Sequence, residues 1–526
     1  MYLIIIASLL GIFATSVMSY ISMATPIGPW IAPTLVLCGT IFFHFIRPTS
    51  YENSLSLVTC AGSVGGILAS ALAFSFPTLH FLDPILFANI MASPICFAAH
   101  IVSVSIVAGW FGIWIANLFE DTLVYREKLA YPIGALVYRM IETHHDMRKA
   151  CELIFGITSS ALFAVAQDII HVIAKSFTMV HSFSLYGLPI PTLQFDLSPL
   201  LWAVGFVTGH VIAIPLALGA LARVFIASPI NILIFPDLTH TEFNFAFCSG
   251  ILLYTTMTGI FFSAKKLYAS LHFPAVSSVS FLLNGNRSFN FLALEGVLVV
   301  CTICVFLSYF KFSMLCQLYL IPFTFVCTRQ ILIIAGKFGL APLGTFATFV
   351  MFPALFLFDL SAKQMVLIAT FVEVCGGVAA DILFGRKIGS LANISKTRLK
   401  LFQYAGLIIG SLTAGIIFWL LIKRFSLGSV ELFAGKAQSR ALLIQSVDRV
   451  NFWAMVPGTI FACLVQYCGI NAALALGGLL MPFSISIGLV TGAMLTFLTH
   501  HKEEWFPFWS GIFAAQSIWM LLRAAI

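Results

Sequence analysis

The stretch 371–410, FVEVCGGVAADILFGRKIGSLANISKTRLKLFQYAGLIIG, joins an apolar run with two carboxylates, Glu373 and Asp381, to a second apolar run. The loop between them is basic, with Arg386, Lys387, Lys396, Arg398 and Lys400. An acid at the centre of a membrane helix costs roughly 2.5 to 3.5 kcal/mol to insert on translocon scales. A chain that keeps one there gives it a partner, a water-filled cavity or a job. The segment reads as two membrane helices around a charged turn, and the remaining sequence as the frame that holds it.

Composition makes that frame a membrane protein. Of 526 residues, 60% are hydrophobic and 9% charged, against about 25% charged in a soluble protein. Mean hydropathy is +1.03. No soluble fold of this size hides so much apolar surface, so the lipid bilayer is the solvent for much of it. The fold class expected is all-α, a polytopic integral membrane protein. The net charge of +7 is spread over short loops. It implies no nucleic acid and fits loops held on the positive side of a membrane. None of the 12 cysteines has zinc-ligand spacing, and Cys301 and Cys304 lie inside an apolar run as packing residues. No metal site and no cofactor is expected. Met1 leads straight into YLIIIASLLGIF, which reads as a first span and not a cleaved signal. The minimal loops suit a bacterial inner membrane.

A crossing helix needs about 20 apolar residues. By that rule spans fall near 2–22, 26–46, 54–77, 93–117, 151–175, 244–264, 292–310, 314–334, 345–361, 364–383, 403–422, 452–468, 471–499 and 506–525. The run 198–235 has room for two short crossings, with Pro215 and Gly219 as break points. The expected total is about 15 to 17 spans. The segment 129–142 is too short and polar to span and reads as a re-entrant or interfacial helix. Counting 198–235 as two crossings puts the basic loops 120–149 and 386–400 on the cytoplasmic side and 423–450 outside.

The chain also matches itself. TPIGPWIAPT (25–34) resembles GKFGLAPLGT (336–345), and at the same offset VGGILASAL (64–72) resembles CGGVAADIL (375–383). Gly205 and Gly219 share their spacing and surroundings with Gly478 and Gly492. This order predicts a duplicated architecture, 1–290 and 291–526, with parallel or inverted halves left open. In the alignment Glu373 and Asp381 fall on Gly62 and Ser70, so both acids are additions to one half.

Few ionisable residues sit inside apolar runs. Glu373, half-way along its helix, is the leading proton-coupling candidate, because a carboxyl in so dry a place can exist as the neutral acid; the alternative is a static ion pair or cap. Asp381 is expected to end the helix or pair with Arg386. Arg329 either neutralises Glu373 or grips a substrate carboxylate through paired hydrogen bonds. Glu295 begins an apolar run as an interfacial residue. His210 is a titrating group or, the favoured reading, a satisfied core histidine. The adjacent His of THHD (143–146) read as surface residues. Backbone breaks at Pro132 and Gly134, Gly205 and Gly209, Gly336, Gly339 and Pro342, and Gly478 and Pro482 mark candidate substrate sites. Freed backbone groups at membrane depth are tolerated only against a cavity or protein. No nucleotide-binding or hydrolase motif is present, so no enzyme is expected, and energy must come from an ion gradient or transport is passive.

Four segments together resemble the oligopeptide transporter family, which includes the yellow-stripe metal-chelate carriers. They are EKLAYPIGALVYRMI (127–141), SPLLWAVGFVTGHVIAIPLALGALARVFIASPI (198–230), GKFGLAPLGTFAT (336–348) and the opening stretch, where Asp381, Lys387, Gly389 and Gln403 fall in comparable places. Tyr131, Ile133 and Tyr138 depart from the family pattern. The resemblance implies about 16 spans, a duplicated core, and proton-coupled uptake of small peptides or peptide-like metal chelates. The competing expectations are a membrane-embedded enzyme, such as a lipid-linked transferase, and a passive channel.

Overall fold

The computed structural model describes residues 2–25, 30–46, 51–129, 131–142, 147–168, most of 176–258, 287–338, 341–449, 452–480, 483–499 and most of 504–519. Gly339, Pro482 and the THHD segment lie outside the described residues. Among the described residues eight helices are long and apolar enough to cross a membrane, and five shorter apolar helices accompany them. The protein is a multi-pass, helical membrane protein.

The duplication is visible in the helices. α1 (Tyr2–Ala24), α2 (Ala32–Ile46) and α3 (Tyr51–Ser75) stand at a near-constant offset from α13 (Met314–Phe338), α14 (Leu343–Leu357) and α15 (Ala362–Leu391). Two short helices, α4 (Thr78–Leu82) and α5 (Pro84–Met91), then lead to α6 (Pro94–Glu120) and α7 (Pro132–Glu142). These two keep a slightly smaller offset from α16 (Lys396–Arg424) and α17 (Gly435–Arg449). After α8 (Met147–Asp168) come α9 (Pro199–Thr208) and α10 (His210–Ala222). They match α19 (Ala472–Leu480) and α20 (Phe483–Leu498), which follow α18 (Phe452–Tyr467). α12 (Arg287–Tyr309) precedes the second set.

The run 198–235 divides, but not at the expected break points: Pro215 and Gly219 both lie inside α10. The run 198–235 comprises α9, α10 and α11 (Ser228–Ile234). Gly209, at φ 75°, makes the first break. Between α8 and α9, four short strands pair as two antiparallel ribbons, β1 (Ser176–Val180) with β4 (Leu193–Asp196) and β2 (Phe183–Leu185) with β3 (Leu188–Ile190).

The halves are inverted. Equivalent helices α3 and α15 are the two fully buried spans, and they cross antiparallel. Ser75 meets Glu373, Gly377 lies against Ile67 and Ala71, Ser63 meets Asp381, and Cys60 meets Gly385. Numbers fall on one helix as they rise on the other. Two copies of one helix can run antiparallel only about a two-fold axis across them, so that axis passes near Gly377. A second contact obeys the same rule. Gly205 lies on the Leu489 carbonyl and Gly478 on that of Leu216, while Gly219 lies on the Ala475 carbonyl and Gly492 on that of Trp202. Each contact is the other's copy, with both partners shifted by the same number of positions. Glycine is needed at all four, because a β-carbon would strike the facing backbone.

Sequence chemistry explains the buried pair. α3 and α15 are rich in Gly, Ala, Ser and Cys, so their backbones approach closely and dispersion replaces the hydrophobic burial available in water. α15 starts on a capping box between Ser361 and Gln364, which satisfies first-turn donors. α1, α6 and α16 surround the crossing.

Candidate functional site

The expected short helix at 129–142 is real, and it has an inverted twin. α7 and α17 follow equivalent helices and enter by the same joint. Tyr131 (φ 44°) and Ala434 (φ 51°) are both left-handed. Tyr131 donates its N–H to Gly336 O (2.8 Å), and Ala434 donates its N–H to Met23 O (2.7 Å). The start of α7 at Pro132 therefore meets the last turn of α13 at Gly336, although Gly134, Gly205, Gly336 and Gly478 lie inside helices and are not the backbone breaks expected. Gly134 also sits on the Phe384 carbonyl. Inversion sends α7 and α17 to opposite ends of the crossing.

α17 delivers a residue that the sequence reading misses. Arg440, 6% exposed, donates from Nη2 to Glu373 Oε1 (2.5 Å) and from Nη1 to Ser75 Oγ (2.6 Å) and Phe74 O (3.3 Å). Ser75 in turn donates to the other Glu373 oxygen. Lys436, one turn before Arg440 and on the same helix face, places Nζ 3.4 Å from the Phe74 ring centre. The first turn of α14 closes the cluster. A methyl group on Gly344 would lie 3.5 Å from Glu373 Oε1 and 3.8 Å from Arg440 Nη2, in ordinary contact. Pro342 caps α14 without a side-chain hydrogen bond.

Asp381 contradicts both of its expected roles. α15 continues to Leu391, so Asp381 does not end it, and Arg386 turns elsewhere. Asp381 is 3% exposed and accepts one hydrogen bond, from Ser63 Oγ (2.7 Å). Glu373 and Asp381 lie four residues either side of Gly377, about 6 Å along the axis at 1.5 Å per residue. Depth does not separate them. Charge does: Glu373 has a guanidinium and Asp381 a hydroxyl.

Arg386, the largest fully buried side chain, lies 3.6 Å from Glu120 at the end of α6. Its Nη1 donates to Lys396 O (3.1 Å) and its Nη2 to Asn117 Oδ1 (3.3 Å). Lys396 adds Asp121 at 2.8 Å. The crossing thus carries a buried Arg–Glu pair toward each end, with Asp381 between them.

The remaining candidates are scattered. Arg329 does not neutralise Glu373, whose guanidinium comes from Arg440; it lies 5.6 Å from the Phe119 ring centre. Glu295 is no bare interfacial acid: Tyr404 (2.5 Å) and Trp110 (3.4 Å) both donate to its Oε1, tying α12 to α16 and α6. His210 opens α10 after the Gly209 break, and Gly205 and Gly478 hold the second helix bundle. Among the described residues no cluster of His, Cys, Asp or Glu suits a metal ion. No family model matches the chain, and no curated protein does.

Proposed function

We propose that the protein is a secondary transporter that couples proton movement to uptake of a small carboxylate-bearing solute of the peptide or chelate kind. One observation carries the reading: two copies of one helix cross antiparallel with titratable side chains buried where they meet. Inverted repeats with broken helices around a mid-membrane site are the architecture of alternating access. A static scaffold has no use for a buried acid without a counter-charge.

The two acids then take different tasks. Neutralising Glu373 strands Arg440 in a dry interior, a costly event. Among the described residues Asp381 is hydrogen-bonded to a hydroxyl and to no cation, so it can gain and lose a proton while Ser63 keeps its hydrogen bond. Asp381 is the coupling acid, and the Glu373–Arg440 pair belongs to the solute. The peptide or chelate class comes from the resemblance of the four sequence segments, and the minimal loops suit a bacterial inner membrane.

The test is uptake of a labelled peptide library into proteoliposomes, with and without an inward proton gradient. Gradient-driven accumulation is expected for the native protein. Asp381→Asn, which keeps a hydrogen-bonding partner for Ser63, is expected to lose accumulation and retain tracer exchange. Uptake that ignores the gradient makes the protein a passive channel, and undiminished accumulation in Asp381→Asn removes that residue from coupling.

A further inference from the structure

Buried hydroxyls on several helices close back on their own backbone. Thr15, Ser19, Ser105 and Thr370 each donate to the carbonyl four residues earlier, at 2.6 to 2.8 Å, a common arrangement inside a helix. Ser56 and Thr59 on α3 do not. Both are fully buried, and among the described residues neither hydroxyl has a hydrogen-bond partner.

Their spacing places them. Glu52, Ser56, Thr59 and Ser63 follow one another by four, three and four positions, which sets them on one face of α3. Glu52 is exposed at the start of the helix, and at the far end of the stripe Ser63 donates to Asp381 (2.7 Å). Successive members are about 4.5 to 6 Å apart along the axis, the reach of one water making two hydrogen bonds. Buried oxygens without partners are rare, and water is the donor small enough to pair them in a seam between helices.

The surroundings of Asp381 differ in the two directions. Toward the start of α3, one turn along α15, Cys60 and Gln403 both lie over Gly385. Gln403 donates to Ile382 O (3.1 Å), and its Oε1 is another buried oxygen with no partner among the described residues. Arg386 on the same helix turns to Glu120. Toward the end of α3, Gly377 is packed against Leu343, Ile67 and Ala71, and Gly376 against Ile331 and Leu343. Ser70, on that side, accepts from Ser22 (3.0 Å) and donates to Gly66 O (3.1 Å). One side of the acid is lined with unused oxygens and the other with apolar contact.

We infer that the stripe of Ser56, Thr59 and Ser63 carries protons between Asp381 and the membrane face at which α3 begins and α15 ends, through water hydrogen-bonded to its hydroxyls. A proton handed along the stripe arrives on Asp381 and makes the neutral acid, and its return restores the carboxylate. Each hydroxyl accepts one hydrogen bond as it gives another, so no other charge changes. In this conformation Asp381 exchanges protons with that face, and the apolar packing around Gly377 closes it from the opposite one. The inference rests on the reading of Asp381 as the coupling acid.

Protonation is watched directly, with no solute and no gradient. The full-length protein in detergent is taken through a rapid acid jump, and the carboxylic C=O stretch of neutral Asp381 is followed by time-resolved infrared spectroscopy. The band is assigned by its loss in Asp381→Asn. Thr59→Val, which keeps the branched shape and removes the hydroxyl, and Ser56→Ala are expected to reach the native amplitude at least about tenfold more slowly. Thr59→Ser keeps the hydroxyl and is expected to keep the native rate. Thr78→Val removes a buried hydroxyl beyond the end of α3 that has no partner among the described residues, and is expected to leave the rate unchanged. Native rates in both Thr59→Val and Ser56→Ala overturn the path, as does an equal slowing in Thr59→Ser or Thr78→Val. A band absent from the native protein overturns Asp381 as the coupling acid and the path with it, whereas a band present with unaltered rates overturns the path alone.

Discussion

Tyr131 and Ala434 are one structural position occupied twice. Each is left-handed, each donates its N–H to a carbonyl at the end of the other half's first helix, and each accepts a bond of 3.0 Å, from Ala135 and Gln438 respectively. Non-glycine residues at positive φ cost roughly 1 to 2 kcal/mol. The same strain at both places marks the joint as a property of the repeat and not of either side chain.

A β-branched residue at that joint adds to the strain. Ala434→Val is expected to lower the thermal unfolding midpoint in detergent by the equivalent of at least about 1 kcal/mol, whereas Ala434→Gly stays within about 1 kcal/mol of the native protein. Equal midpoints for the valine and glycine variants would mean that the left-handed turn is not kept in the membrane protein.

The buried pair Glu373–Arg440 is testable by a double-mutant cycle. Glu373→Leu and Arg440→Met each leave one charge stranded and are expected to cost about 3 to 5 kcal/mol. The double variant, with neither ion of the pair left stranded, recovers most of the loss. A double variant as unstable as the two losses combined would show that the side chains act independently.

At the other end of the crossing, exposure separates two neighbours. Arg386 is 1% exposed while the Lys396 side chain is 50% exposed. Arg386→Gln is expected to cost several-fold more stability than Lys396→Ala, which stays below about 1 kcal/mol and shrinks in high salt. Urea or thermal titration of both variants decides it.

The glycine contacts of the second bundle make a paired prediction. Gly205→Ala and Gly478→Ala each drive a methyl into a facing carbonyl, of Leu489 and Leu216, at a cost of about 1 to 3 kcal/mol. Because the positions are copies, their losses should match. A large loss at one and none at the other would deny the local symmetry.

Much of the frame is legible in sequence because it is written in small residues and breaks. The repeat of IAPT and LAPL locates α2 and α14, and the glycine spacing at 205 and 219 locates a real contact with 478 and 492. Inversion is hidden, since a sequence carries no direction across the bilayer; it takes the antiparallel meeting of Ser63 with Asp381 to give it. The charges mislead for a related reason. Glu373 and Asp381 share one helix and look alike, but their difference lies in what comes from elsewhere: Ser63 from α3, and Arg440 from a polar segment that reads as a loop. The apolar residues after Arg440, in SRALLI, are the one local sign that this segment goes inward.

The two halves share a backbone path and differ in charge, and under the proposed transport function this sets the work of opening each side. Drawing α17 away from the crossing parts Arg440 from Glu373 and Ser75, and exposes both ions to whatever medium follows. The corresponding movement of α7 parts Gly134 from the Phe384 backbone and buried apolar side chains such as Val137, with no ion pair to break among the described residues. Among the described residues α17 is held to the crossing by an ion pair and α7 by fit. Salt and dielectric act on the first, and shape and temperature on the second.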